Sequence, residues 1–210
     1  RGKGAAVSIE DLKRDLSRAL EANNWSAAAS VRSTIVAQHP DTSEAAEAAY
    51  KLGLHALYQE QDLARAAENL RLAARAKDAD WSLPARVSLG LVMLAQGKGQ
   101  QAVFELRKAA GIKPPNQMTA QAAGLVAVAL AQHKPGAEVE RAREQYKGVL
   151  QQLTKGQAPA VEAWACLHLG MEFKHDGQRA EAKQWLNRAA GLNALGPDEA
   201  DLLQRTLGQL

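Results

Sequence analysis

Four residues in the carboxyl-terminal half of the chain are of types that bind metal ions or transfer protons. They are Cys166, His168, Glu172 and His175. The last three are spaced at i, i+4 and i+7, which would place their imidazole and carboxylate groups on one helical face where a metal could bind. We interpret them instead as a groove-lining histidine, a solvated histidine at a helix end and a core cysteine. We predict no metal and no cofactor.

No other arrangement of reactive residues indicates an enzyme. The segment Gly97-Lys98-Gly99 lacks the spacing and the preceding strand of a phosphate-binding loop, and neither G-x-S-x-G nor H-E-x-x-H occurs. Cys166 is the only cysteine, which excludes an intramolecular disulfide and a thiolate zinc cluster. We predict that the protein is not an enzyme.

The composition indicates which elements must position these side chains. Alanine, leucine, glutamine and charged residues that favour helices dominate, while only 4% of the 210 residues are aromatic. We predict an all-α fold with no transmembrane span, since no apolar run approaches about twenty residues. The chain begins at Arg1 rather than methionine, so we expect a fragment or processed form in which residues 1–7 are a basic linker or the fragment's edge.

The net charge of +3 is distributed unevenly. Residues 98–156 contain nine basic and four acidic side chains, a local charge of +5. A basic region favours an acidic partner surface, although a set of solvated helix faces would have the same composition. We prefer the second interpretation.

Two stretches that lie eighty residues apart share one sparse pattern. Leu89-Gly90 is followed by Met93, Ala102, Leu106 and Ala109, and Leu169-Gly170 is followed at identical offsets by Phe173, Ala182, Leu186 and Ala189. Such alternation of small and large residues is typical of two antiparallel helices, in which the glycine lets the second helix approach closely. The pattern resembles the tetratricopeptide repeat (TPR), a unit of about 34 residues.

The resemblance implies a right-handed α-solenoid, in which each repeat buries its apolar face against its neighbours. We divide residues 8–196 into five repeats followed by a capping helix at 197–210. The repeats span 8–42, 43–79, 81–115, 117–155 and 160–194. The fourth repeat departs from the pattern, and we place its surplus of about twelve residues in the turn at 132–139 and the linker at 154–159.

Helix ends and tryptophans complete the expected architecture. Ser8 and the segment 41–43 are predicted helix caps. We expect Trp25 and Trp185 to pack in the core, and Trp81 to precede a helix and staple its start.

In the TPR family the first helix of each repeat lines the concave surface, which implies where a partner would bind. The expected lining is charged at its amino-terminal end and mostly apolar afterwards. It comprises Arg14, Tyr50, Lys51, Leu54, Tyr58, Val87, Leu91, Gln121, Leu125, Trp164, His168 and Met171. We expect Tyr50 and Trp164 to anchor a partner, so that truncating either would weaken binding and hardly change stability.

The resemblance implies a non-enzymatic interaction module or scaffold that holds a partner peptide or amphipathic helix in this groove. Two alternatives are a basic polynucleotide-binding repeat and a self-assembling structural subunit. Polynucleotide-reading repeats need polar residues at a fixed place, whereas the matching places here are Lys13, Tyr50, Val87, Gln121 and Leu167. We therefore expect a protein partner and no nucleic acid. The alanine-rich composition suggests a bacterial protein, and we slightly favour a cytoplasmic location.

Overall fold

The computed structural model describes residues 7–133, 135–156 and 158–210, which form eleven α-helices and no strand. The helices are α1 (Ile9–Glu21), α2 (Trp25–Gln38), α3 (Ser43–Tyr58), α4 (Leu63–Ala74), α5 (Ala79–Ala95), α6 (Gly99–Ala110), α7 (Gln117–His133), α8 (Ala137–Leu153), α9 (Pro159–His175), α10 (Arg179–Leu192) and α11 (Pro197–Leu207). We call α1, α3, α5, α7 and α9 the first helices. No described helix is both long and apolar enough to cross a membrane. The linker expected at residues 1–7 lies outside the described residues except for Val7.

The chain divides into two compact units, unit 1 up to Glu105 and unit 2 from Leu106 to Leu210. In unit 1, α3 packs against α2, α4 and α5. In unit 2, α8 packs against α7 and α9, and α11 lies against α9 and α10. Leu203 of α11 joins a buried cluster with Cys166 and Leu186, so the last helix covers apolar residues of the preceding pair.

Polar side chains begin several helices by accepting hydrogen bonds from free backbone N–H groups. Ser8 Oγ accepts from Asp11 N at 3.1 Å, and Thr42 Oγ1 accepts from Ala45 N at 3.1 Å. Asp62 and Asp78 cap α4 and α5 in the same way. The caps predicted at Ser8 and within 41–43 are confirmed.

Close approach between paired helices depends on glycine. A Cβ atom built on Gly53 would lie 2.7 Å from Leu70 Cγ, and one built on Gly170 would lie 2.5 Å from Leu186 Cγ. Ala182 and Ala189, which flank Leu186 on α10, are buried. The predicted role of the glycine–alanine pattern is confirmed for the α9–α10 pair.

Four of the turns inside helix pairs contain a residue in the left-handed backbone region. These are Asn23 (φ 51°), Gln61 (φ 55°), Gly97 (φ 72°) and Gly177 (φ 76°). Each lies two positions before the first residue of the following helix. A residue in the left-handed conformation therefore helps to reverse the chain in each of these four turns, although the side chain at that position varies.

The surplus residues expected in the turn at 132–139 are not found there. Three positions separate α7 from α8, as many as separate α9 from α10, so the turn holds no surplus. The helix α8 has 17 residues, whereas α4 and α6 have 12 each. The segment Ala137–Arg141 begins α8 and has acidic residues in its first turn, which favour a helix start.

Two tryptophans differ from their expected roles. Trp25 is exposed, because it is the first residue of α2 and lies at the end of the α1–α2 pair, where little of its ring is covered. Trp81 lies within α5 rather than before it, since Asp78 caps that helix. Trp185 packs, as expected, against buried residues of unit 2.

Candidate interaction surface

The helix α3 presents an apolar face in unit 1. Tyr50, Leu54 and Tyr58 follow at i, i+4 and i+8 and so share one side of the helix. Tyr50 and Leu54 are partly buried, whereas Tyr58 is 66% exposed. The face therefore rests on the core at one end and opens to solvent at the other.

The neighbouring helix α5 extends this face with an aromatic contact. The ring centroids of Tyr50 and Trp81 are 5.9 Å apart, and Lys51 Nζ lies 5.7 Å from the centroid of the Trp81 ring. Leu91, further along α5, is 40% exposed. Tyr50, Lys51, Leu54, Tyr58, Trp81 and Leu91 together are called the unit 1 surface.

Trp81 was not among the expected lining residues, because we expected it to precede a helix. A usable signal was present, since Asp78 is a good cap and the spacing from Trp81 to Ser88 and Leu91 is helical. An earlier helix start would have put Trp81 on the face of α5 that Ser88 occupies.

The charged end of the expected lining forms local ion pairs. Arg14 forms an ion pair with Asp11 one turn earlier on α1. A hydrogen bond from Ser8, followed by the charge of Arg14, lowers the pKa of the Asp11 carboxyl. Lys13 Nζ lies 3.5 Å from Glu10 and 3.6 Å from Glu44. Exposed pairs of this kind contribute little to stability.

Two of the expected lining residues are core residues and require correction. Val87 is 5% exposed and Trp164 is 6% exposed. Val87 shares its side of α5 with Leu83 and Gly90, which are also buried, and Trp164 belongs to a cluster with Leu150 and other apolar side chains. Both side chains support the first helices from inside and present little surface to a partner.

In unit 2 the other expected lining residues of α7 and α9 are partly accessible. Gln121, Leu125 and Met171 are partly buried, and Val128 on α7 is 47% exposed. Leu125, Val128 and Met171 are therefore partly exposed apolar residues, as are several residues of the unit 1 surface. A single stripe running through both units stays a prediction.

His168 is held between two aromatic side chains. The ring centroids of Trp164 and His168 are 4.3 Å apart, and the Tyr146 hydroxyl lies 3.1 Å from His168 Nδ1. Burial lowers the pKa of His168 to about 4, so the imidazole is neutral near pH 7. Burial, with a smaller effect of Glu172, raises the pKa of Tyr146 above its usual range.

Gly124 makes room for the Tyr146 ring. A Cβ atom built on Gly124 would lie 3.1 Å from Tyr146 Cζ. Tyr146 occupies on α8 the place that Leu70 and Leu186 occupy on α4 and α10, four residues after a buried alanine. The larger ring brings a hydroxyl to His168, which a leucine could not do.

The four residues first considered for metal binding are not assembled into a site. Glu172 Oε2 accepts a hydrogen bond from Arg143 Nη2 at 2.7 Å, and His175 Nδ1 lies 3.6 Å from Asp176. Cys166 is fully buried, and burial raises the pKa of its thiol to about 11. Within the described residues no group of three or more histidine, cysteine, aspartate or glutamate side chains is placed to hold a metal.

Charged side chains join α8 to the carboxyl-terminal end of α9. Arg143 pairs with Glu172, and Lys147 Nζ lies 2.6 Å from Asp176 Oδ2. Lys147 is largely buried and its ammonium also lies 5.4 Å from the centroid of the Phe173 ring. Two of the basic residues on α8 are therefore engaged within unit 2.

Comparison with known proteins shows the fold. No protein-family model and no curated protein matches the chain. BtubC from P. vanneervenii has a similar structure, with a TM-score of 0.62 and 16% identity over 89% of this chain and 80% of its own. YrrB, described as a TPR protein with an unusual peptide-binding site, has a TM-score of 0.58 and 18% identity over 99% of this chain and 95% of its own.

A structure of MamA is also similar, with a TM-score of 0.56 and 15% identity over 87% of this chain and 90% of its own. Identities this low show the fold alone. The predicted all-α, TPR-like fold is confirmed.

Proposed function

We propose that this chain is a non-enzymatic protein-interaction module or scaffold whose first helices bind a peptide or an amphipathic helix of a partner protein. The main support is the exposure of large apolar side chains on these helices. Tyr58 on α3, Leu91 on α5 and Val128 on α7 are 66%, 40% and 47% exposed. Large exposed apolar side chains suit a protein partner. Trp25, Leu72 and Phe104 on α2, α4 and α6 are exposed as well, so the choice of the first helices rests on the TPR-like fold and on the aromatic contact between Tyr50 and Trp81.

The aromatic part of the unit 1 surface favours a peptide over a small polar ligand. Tyr50 and Trp81 form a partly buried pair, and Lys51 adds a cation beside the Trp81 ring. Tyrosine and tryptophan are enriched where interfaces bury apolar area while keeping a polar edge. YrrB, which resembles this chain at 18% identity, is described as having a peptide-binding site, and this also favours a peptide.

The proposal assigns different roles to the expected lining residues. In unit 1 the contacts come from Tyr50, Leu54, Tyr58 and Leu91. In unit 2 they come from accessible side chains of α7 and α9, namely Gln121, Leu125, Val128 and Met171, whereas His168 is held inside between Trp164 and Tyr146. Val87 and Trp164 act from the core by fixing the helices that carry these contacts.

Affinity capture with the full chain as bait tests the proposal. The bait is compared with a Tyr58→Ser/Leu91→Ser double variant and with a matched Trp25→Ser/Phe104→Ser control, whose altered residues are exposed on α2 and α6. We expect the wild type and the control to capture the same protein and the first-helix variant to lose it. Capture lost only by the control would contradict the proposal and move the surface to the second helices.

A further inference from the structure

The joint between α8 and α9 in unit 2 is thinner than the helix pairs on either side of it. The helix α9 packs more extensively against α10, and α8 against α7, than α8 and α9 pack against each other. Each side also has packing of its own. On one side Gly124 makes room for Tyr146, and on the other Cys166, Leu186 and Leu203 form a buried cluster. The α7–α8 pair and the α9–α11 helices can therefore separate at this joint while each part keeps its own packing.

Three polar links cross the joint. They are the hydrogen bond between Tyr146 and His168, the ion pair between Arg143 and Glu172, and the ion pair between Lys147 and Asp176. Although partial burial opposes it, the hydrogen bond and charge of Lys147 lower the pKa of Asp176, so this ion pair persists at pH 5. The link through His168 is different, because an imidazole in water takes up a proton between pH 7 and pH 5.

A proton on His168 would lack a free counter-charge in the closed joint. The charged or titratable groups within about one helical turn of the contact are Tyr146, Arg143 and Lys147 of α8, Glu172 of α9, and Arg188 of α10 with its partner Glu162. The helix α7 has no charged side chain between Gln117 and Gln132. Glu172 already accepts a hydrogen bond from Arg143. Burial lowers the pKa of His168 to about 4, so the closed joint holds this imidazole in its neutral form.

We propose that the α8–α9 joint is an acid-operated hinge, in which protonation of His168 breaks the contact with Tyr146 and lets the α9–α11 helices swing away from the α7–α8 pair while both parts stay folded. Opening returns the imidazole to its ordinary pKa of 6.5, so between pH 7 and pH 5 protonation favours the open joint by about 30-fold. The hinge separates Leu125 of α7 from Met171 of α9, so acid releases a partner that both residues hold. This last consequence rests on the proposed function.

Fluorine NMR of the full chain labelled with 5-fluorotryptophan tests the hinge. The difference in each fluorine shift between H₂O and D₂O measures the solvent exposure of that tryptophan. Trp164 is 6% exposed in the closed joint, and we expect its exposure to rise from pH 7 to pH 5 while Trp25 and Trp81 of unit 1 stay constant. A Trp164 that stays protected at pH 5, or a rise at all the tryptophans, would overturn the proposal. The measurement needs no partner, so its result is independent of the proposed function.

The thiol of Cys166 separates hinge opening from unfolding of unit 2. This thiol is covered by Leu186 and Leu203, which belong to the part that stays folded. We expect its reaction with 4,4′-dithiodipyridine, a reagent that works at acidic pH, to remain slow at pH 5. A thiol that becomes reactive over the pH range in which Trp164 becomes exposed would show unfolding and contradict a hinge.

Two variants and a matched control assign the effect to this contact. His168→Gln removes the titrating group, so the exposure of Trp164 should no longer depend on pH, whereas His133→Gln, at an exposed position of unit 2, should behave as the wild type. Tyr146→Phe keeps the ring but removes the hydroxyl that can donate to the neutral imidazole, so the joint should open at a higher pH. This variant keeps the test valid if His168→Gln fails to fold. Acid opening that persists in His168→Gln, or an unchanged midpoint in a folded Tyr146→Phe chain, would contradict the hinge.

Discussion

Tyr146 on α8 and His168 on α9 are joined by a hydrogen bond of 3.1 Å between the phenol oxygen and Nδ1. Gly124 on α7 leaves room for the tyrosine ring, and Trp164 lies against the imidazole. Three successive helices of unit 2 therefore meet at one polar contact inside an apolar cluster. A buried hydrogen bond of this kind fixes the register of the helices more closely than apolar packing alone.

The buried imidazole should make the stability of unit 2 depend on pH. The pKa of His168 is about 4 in the folded chain, below its ordinary value of 6.5, so protonation favours unfolding. The stabilising contribution of the neutral His168 imidazole is complete above about pH 6.5 and is lost as the pH falls towards 4. By about pH 5 we expect a loss on the order of 2 kcal/mol in the free energy of unfolding. Urea unfolding at several pH values measures it.

The control for this effect replaces one histidine at a time with glutamine. His168→Gln removes the titrating group and should flatten the dependence between about pH 5 and pH 7. His133→Gln alters an exposed histidine of the same unit and should leave the dependence as in the wild type. An unchanged slope in the His168 variant would assign the pH dependence to other groups.

Breaking the pair between Lys147 and Asp176 should cost more than breaking an exposed pair. Asp176→Asn leaves the largely buried Lys147 ammonium without its partner at 2.6 Å. We expect a loss of about 2 kcal/mol, less than for a fully buried pair because Asp176 is partly exposed and Glu144 remains nearby. Asp201→Asn, which breaks a mostly exposed pair with Arg205, should change stability by about 0.5 kcal/mol or less. Equal losses in chemical denaturation would show that burial does not set the cost.

Two glycine-to-alanine changes in unit 2 should have opposite signs. The Cβ of Gly170→Ala would meet Leu186 Cγ at 2.5 Å and the Ala182 carbonyl oxygen at 3.1 Å, so we expect a loss of about 1–3 kcal/mol. Gly148→Ala on α8 meets nothing within 4 Å and should stabilise the helix by about 0.5–1 kcal/mol. Thermal unfolding of both variants compares them directly. If both variants were destabilised, the steric overlap with Leu186 would not be the reason for the loss of stability at Gly170.

Substitutions of Trp164 and Tyr58 should distinguish a residue that supports the core from one that lies on the surface. Trp164→Ala should lower the free energy of unfolding by about 3–5 kcal/mol, because the indole is buried among Leu150, Leu169 and their neighbours. Tyr58→Ala should change it by about 0.5 kcal/mol or less, since most of that ring is exposed. Calorimetric midpoints measure both. This expectation for Trp164 replaces the earlier one, which treated the residue as a partner contact with little effect on stability.

The sequence allowed the helix pairs to be predicted because their packing depends on few residue types. Glycine at 170 and alanine at 182 fit only a close crossing, and the same contact is found between Gly53 and Leu70. Helix caps at Ser8 and Thr42 were also predictable, since a short polar side chain before an apolar run has one common use.

The candidate surface was harder to predict because periodicity defines a helical face but not how deeply that face is buried. Val87 and Trp164 have the right helical phase for a lining residue, yet neighbouring helices cover them. Trp25 is of a residue type that usually packs in the core, yet it lies exposed at the end of a helix pair. The depth of burial depends on where neighbouring helices begin and end, and the sequence pattern leaves those ends uncertain by several residues.

The left-handed residues of the turns bear on the order in which the helices assemble. At Gly177 the backbone adopts this conformation at no steric cost, so the α9–α10 turn can form before its helices dock. At Gln61 the same conformation costs about 1 kcal/mol and persists only because the docked helices impose it. We therefore expect the α9–α10 pair to nucleate early and the α3–α4 pair to close its turn late.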